Sequence, residues 1–151
     1  MMLDTRPTTD PTMPRYTMPM RGIILLSGML TVAWGAFFKW MGEPLVSWLA
    51  MFPDEPVVLD TSVYGSFVLI IGFLLFLSAF YPISWIYLTM VGIGGKLISA
   101  IWFVLYYVDI IGWNKRTIFH LGFNELFWLI PLSYVLWKAL VVKGYLKTLE
   151  D

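Results

Sequence analysis

Four side chains able to carry charge or hydrogen bonds, Lys96, His120, Asn124 and Glu125, sit inside stretches otherwise apolar enough to cross a membrane. A charge held near the bilayer midplane is costly, so each such group must face the interior of a bundle and find a partner. A lysine and a glutamate in that position can pair and set how two helices dock. They can equally line a pocket for a polar head, a quinone or a proton, since an ionisable group inside a membrane is a functional candidate by default. The sequence leaves both readings open.

Depth governs whether the two can meet. Lys96 lies about twelve residues into its span, roughly 18 Å from the starting end, and Glu125 lies about six residues, roughly 9 Å, inside the outer end of the next. The reach of a lysine side chain closes most of the remaining gap. His120 and Asn124 are one turn apart on the Glu125 helix, whereas Glu125 itself falls about 140° further round than His120 in α geometry. A polar sector is therefore expected, not a single stripe. Gly92, Lys96 and Ser99 share one helix face with Gly95 beside it, which predicts close approach of another helix there. If the polar residues line a pocket, Trp102 and Trp128 are its expected apolar walls.

Other chemistries are excluded residue by residue. The run GIGGK has the look of a phosphate loop, but Met90 stands where the first glycine is needed and Leu97 where Ser or Thr must follow. The single histidine has no HExxH spacing and no second imidazole. With no cysteine in the chain, disulfides, thiolate metal sites and CxxC redox chemistry are absent. No catalytic residue, metal or cofactor is assigned. Ten basic and ten acidic residues give a net charge of zero, hence no footprint for nucleic acid.

The elements that must position these residues follow from composition. At 59% hydrophobic, 18% aromatic and 13% charged residues, with a mean hydropathy of +0.76, the chain reads as an integral membrane protein. The expected fold class is an all-α membrane protein, a four-transmembrane-helix bundle. Spans are expected at about 22–41, 61–80, 84–108 and 119–142, each near the roughly 20 residues that cross a hydrocarbon core. Residues 1–20 read as an extended polar arm, 21–144 as the transmembrane domain and 145–151 as a short tail. The segment 43–52 is too short to span and mixes polar with apolar residues, as a helix lying in the interface does. Pro131 is expected to bend the fourth span by displacing the carbonyl of Phe127. Lys39 is placed to snorkel from the end of the first span, and Asp109 reads as a solvated helix-end residue.

Basic residues orient the bundle. Arg6, Arg15, Arg21, Lys138, Lys143 and Lys147 fall on one side, and Lys39, Lys115 and Arg116 on the other, which predicts both termini inside a bacterial inner membrane.

Three features then carry a resemblance. Residues 22–142 contain an aromatic-rich first span followed by an interfacial segment and Phe52-Pro53. The third span carries Gly92, Gly95 and Lys96 as G-x-x-G-K, and the fourth carries Glu125, Leu126, Trp128 and Pro131. This pattern resembles a widespread group of small bacterial four-span membrane proteins of the DoxX-like kind. The resemblance implies a four-helix membrane bundle in which the lysine and an acidic residue recur together. DoxX-like relatives include a subunit that acts with quinone-linked oxidation.

The expected function is non-catalytic: a small accessory or scaffold subunit of a membrane assembly, with membrane lipids and other membrane subunits as partners. The alternative is a lipid-, isoprenoid- or quinone-binding protein using Lys96, His120, Asn124 and Glu125. Four spans without an internal repeat speak against a monomeric transporter.

Overall fold

A computed structural model describes residues 13–51 and 57–150. Residues 1–12 of the expected arm and the Phe52-Pro53 pair lie outside the described residues. Among the described residues, all regular structure is helical.

Helix α1 (Met18–Trp40) opens with Pro19 in its first turn, where no intrahelical N–H bond is required, and so takes in the end of the expected arm. Helix α2 (Gly42–Ala50) follows a break at Met41 and ends at Met51, which adopts a left-handed φ of 59°. Helices α3 (Ser62–Ser78) and α4 (Ile86–Tyr106) come next, then the single turn α5 (Val108–Ile111). Helix α6 (Lys115–Phe119) runs through a π-helical segment, His120–Leu126, into α7 (Phe127–Glu150), a rod of 36 residues that includes most of the expected tail.

Helix α1, helix α4 and the α6–α7 rod are long and apolar enough to cross a membrane. Helix α3 is apolar but has 17 residues, about 26 Å against a hydrocarbon core of about 30 Å. The architecture is that of an all-α membrane protein.

The four long helices form a ring in which α1 and α4 are each flanked by α3 and α7. Neighbours run antiparallel. A Cβ added to Gly28 would meet the backbone of Phe76 at 2.6 Å, one on Gly35 that of Leu69 at 2.5 Å, and one on Gly72 that of Val32 at 2.5 Å; Gly65 faces the backbone of Lys39. Residue numbers rise on one helix as they fall on the other. Each helix thus contributes a pair of glycines seven apart, and the two backbones touch along this seam. Close backbone approach of this kind compensates for the weak drive to associate in lipid. The seam was not among the expected contacts. Gly92 and Gly95, which were, instead receive the side chains of Leu75 and Ile71 of α3.

Two apolar clusters fill the ring. One contains Phe38, Tyr64, Val68, Ala100, Phe103 and Leu121; the other contains Ile24, Ile71, Leu75, Trp128, Leu132 and Val135. On α1, α4 and the π segment, the residues between the clusters are polar: Thr31, Lys96 with Ser99, and Asn124 with Glu125, all buried.

Helix α2 buries Val46, Leu49 and Ala50 and exposes Glu43 and Trp48. Two of its terminal carbonyls accept from the start of α6: Asn114 Nδ2 donates to Leu49 O at 2.7 Å, and Arg116 Nη1 donates to Trp48 O at 2.6 Å beside the Met51 N–H at 3.3 Å. The Arg116 guanidinium also lies 4.8 Å from the Trp48 ring centre. Asn114 Oδ1 meanwhile caps α6 by accepting from the N–H groups of Arg116 and Thr117. Asp109 is exposed. Lys39 is partly buried and donates to Ser66 Oγ at 2.7 Å, so its ammonium is tied to α3.

Candidate functional site

The polar layer is built by three helices. From α4, the Lys96 ammonium crosses the ring, donates to Thr31 Oγ1 of α1 at 3.0 Å, and lies 3.6 Å from Glu125 Oε2 on the π segment. That second distance is an ion-pair contact, longer than the 2.7–2.9 Å of a short charge-assisted hydrogen bond. Glu125 Oε2 accepts from Ser99 Oγ at 2.8 Å, and Glu125 Oε1 lies 3.5 Å from Asn124 Nδ2. The single Ser99 hydrogen has a second acceptor at 2.8 Å, the Lys96 carbonyl. Thr31 passes its own hydrogen to Ser27 O at 2.7 Å.

The π segment explains how Glu125 comes to face inward beside His120 and Asn124. In an α-helix, residues five apart point in clearly different directions. Here the Phe127 N–H bonds to Gly122 O, an i→i+5 pattern, and the wider turn draws residues five apart toward one face. His120, Asn124 and Glu125 are consequently all buried, while Gly122 and Phe123 stay exposed. Helix α7 continues through Pro131, and the departure from α geometry lies one turn upstream of it.

His120 is held in an aromatic box. Its ring centre lies 4.6 Å from Phe103 and 5.2 Å from both Trp34 and Phe38. Asn124 Nδ2 lies 3.5 Å from His120 Nδ1. His120 Nε2 and the Tyr64 hydroxyl are buried and have no hydrogen-bond partner among the described residues.

The structure thus brings Lys96, Ser99, Asn124, His120 and Glu125 together. It does not place Trp102 or Trp128 as walls of this cluster. Trp128 packs in the second apolar cluster beside Ile24 and Leu132. Trp102 packs against Tyr64 and Phe67 and lines a groove on the surface. On helices that are apolar on most faces, the pattern of residues does not fix which way a tryptophan turns. Thr31, Tyr64 and the box residues Trp34, Phe38 and Phe103 were not anticipated. A signal for Thr31 was present, since Ser27 and Thr31 are small polar residues one turn apart in an otherwise apolar span.

Packing around the layer is solid. Lys96, His120 and Glu125 are 0% exposed, so a water-sized probe touches none of them. Two surface grooves of about 780 and 440 Å³ contain none of the four polar residues in their linings. Chemically, the cluster can hold a compensated charge pair and pass a proton along hydrogen bonds; it presents no nucleophile beside a base. Among the described residues, no group of three or more His, Cys, Asp or Glu is placed to hold a metal ion. Comparison with family models, curated proteins and solved structures finds no match to this chain.

Proposed function

We propose that the protein is a non-catalytic integral membrane protein, a small accessory or scaffold subunit of a membrane assembly. One observation carries the reading: Lys96 and Glu125 are paired with each other inside the bundle, and no water-sized space is left at Lys96, His120 or Glu125. A buried pair of this kind specifies how helices dock and adds little net stability. The same residues read as a lipid, isoprenoid or quinone pocket would have to open before admitting anything.

In this reading all four long helices cross the membrane, α3 with the help of its flanking turns at Thr61 and Ala79–Phe80. The antiparallel order collects Arg21, Lys138, Lys143 and Lys147 at one end and Lys39, Lys115 and Arg116 at the other. That asymmetry supports both termini on the cytoplasmic side of a bacterial inner membrane, and kinship with DoxX-like proteins is part of the same proposal. Affinity purification from native membranes in mild detergent tests it. A partner protein retained at fixed stoichiometry supports the reading, and a monodisperse monomer carrying lipid alone refutes it.

A further inference from the structure

The groove of about 780 Å³ lies between the start of α3 and the end of α4 and is two-sided in its chemistry. Its length is apolar, lined by Val63, Ile98, Ile101 and Trp102, and the end nearest the head of α3 is lined by the exposed Asp60 and Tyr106 and the largely buried Tyr107. The volume falls within the roughly 300–1,000 Å³ usual for small-molecule sites.

This end is built, not loose. Asp60 Oδ1 accepts from the Ser62 N–H at 2.9 Å, which fixes the carboxylate at the head of α3. The Tyr107 hydroxyl donates to the Asp60 carbonyl at 3.1 Å, and its ring stacks on Phe103 at 5.7 Å. Trp102 is wedged against Tyr64 and Phe67, each at 5.7 Å. Among the described residues Asp60 makes no ion pair. Two cations of the same end are engaged elsewhere, Lys39 with Ser66 and Arg116 with Trp48.

An anionic residue and an exposed tyrosine lining the same end of a groove are complementary to an ammonium, through charge and through the ring quadrupole. An apolar trough leading from it is complementary to a hydrocarbon chain. We propose that this groove binds an amphiphile with a quaternary ammonium head, its head between Asp60 and the Tyr106 ring and its chain along Ile98 and Ile101. The smaller groove offers a contrast. Its lining, which includes Leu105, Trp113 and Leu126, holds no ionisable side chain and gives no reason to prefer one head group over another. The proposal does not rest on the scaffold reading, because it uses none of the residues of the buried layer.

Photolabelling in maltoside micelles tests it, with three diazirine-bearing alkyl probes of one chain length: a trimethylammonium, an uncharged maltoside and a sulfate. Label is read by mass spectrometry within the segment 98–107, at Ile98, Trp102 and Tyr106, which line this groove and not the smaller one. The ammonium probe should label this segment about fivefold or more above the other two, the scale of a modest cation–π and charge contact. Asp60→Asn keeps the oxygen that caps Ser62 and should bring the ammonium probe down to the level of the neutral one. Val63→Trp fills the trough without touching the smaller groove and should lower labelling by the ammonium probe while Asp60 remains, which keeps the test valid if the first variant does not fold. Equal labelling by ammonium and neutral probes, or ammonium labelling unchanged by either variant in folded protein, overturns the proposal.

Discussion

Replacing Lys96 by Met removes one ion from a pair that is 0% exposed on both sides. At 3.6 Å and an effective dielectric near 20, the gross Coulomb attraction is about 5 kcal/mol. Against it stands a desolvation cost of several kcal/mol for each ion, so the pair is close to neutral in sum. One ion left alone is different. In Lys96→Met the Glu125 carboxylate keeps only Ser99 at 2.8 Å and Asn124 at 3.5 Å, and the expected loss is about 3–5 kcal/mol. Glu125→Leu leaves the ammonium with Thr31 alone and should cost a similar amount. The double variant leaves no buried charge. Thr31 still donates to Ser27 O, and Ser99 still has the backbone carbonyl of residue 96. It should lie within about 1 kcal/mol of the wild type, giving a coupling of about 5 kcal/mol or above. Reversible unfolding of the four proteins in one detergent measures this cycle. A single Lys96→Met variant as stable as wild type, or a double variant as damaged as the two singles summed, would show that Lys96 and Glu125 do not act as a pair.

Further predictions concern the rest of the bundle. Gly35→Ala sets a Cβ 2.5 Å from the Leu69 backbone, so the α1–α3 seam must part and the melting temperature should fall by several degrees. Gly94→Ala meets nothing within 4 Å and should be neutral or stabilising, as a glycine in a helix interior costs roughly 0.5–1 kcal/mol relative to alanine. Arg116→Gln together with Asn114→Ala uncaps α2 and should raise hydrogen exchange across residues 42–50 while leaving α3 and α4 protected. Burial pushes the Tyr16 phenol, which lies before the first span, up to about 12, against the opposing pull of Arg21. Any stability that segment draws from the neutral phenol is complete below the ordinary tyrosine value near 10 and is lost as pH rises toward 12. A tyrosinate titration of wild type minus Tyr16→Phe should show one phenol ionising near that upper value; a difference curve centred near 10 would contradict the burial of the Tyr16 hydroxyl.

How much of this was legible in the residues depends on what each inference required. Depth along a helix is simple arithmetic, so the levels of Lys96 and Glu125 could be matched before any fold was known. Direction around a helix is harder when most faces are apolar, and the two tryptophans show the consequence. Trp102 and Trp128 have the depth of pocket walls, but one turns to the surface and the other into an apolar cluster. The π segment had no marker, since a run such as HLGFNEL reads as α-helix, yet that wider turn lets Glu125 face inward with His120. Glycines posed the opposite problem. Gly92 and Gly95 drew notice because a lysine follows them, whereas Gly28, Gly35, Gly65 and Gly72, on which the backbones of α1 and α3 meet, stand among apolar neighbours. Their matched seven-residue spacing was readable, but only contact between two helices gives it meaning.

If the buried layer only fastens the bundle, and the protein works as the proposed accessory subunit, then removing the charge pair leaves its partner in place. Native mass spectrometry of wild type and of the Lys96→Met, Glu125→Leu double variant, each released from its own membrane, tests this most directly. The same partner protein should appear at the same fixed stoichiometry on both. A wild type that emerges as a monomer without a protein partner, or a partner lost from a double variant that remains folded, would contradict it.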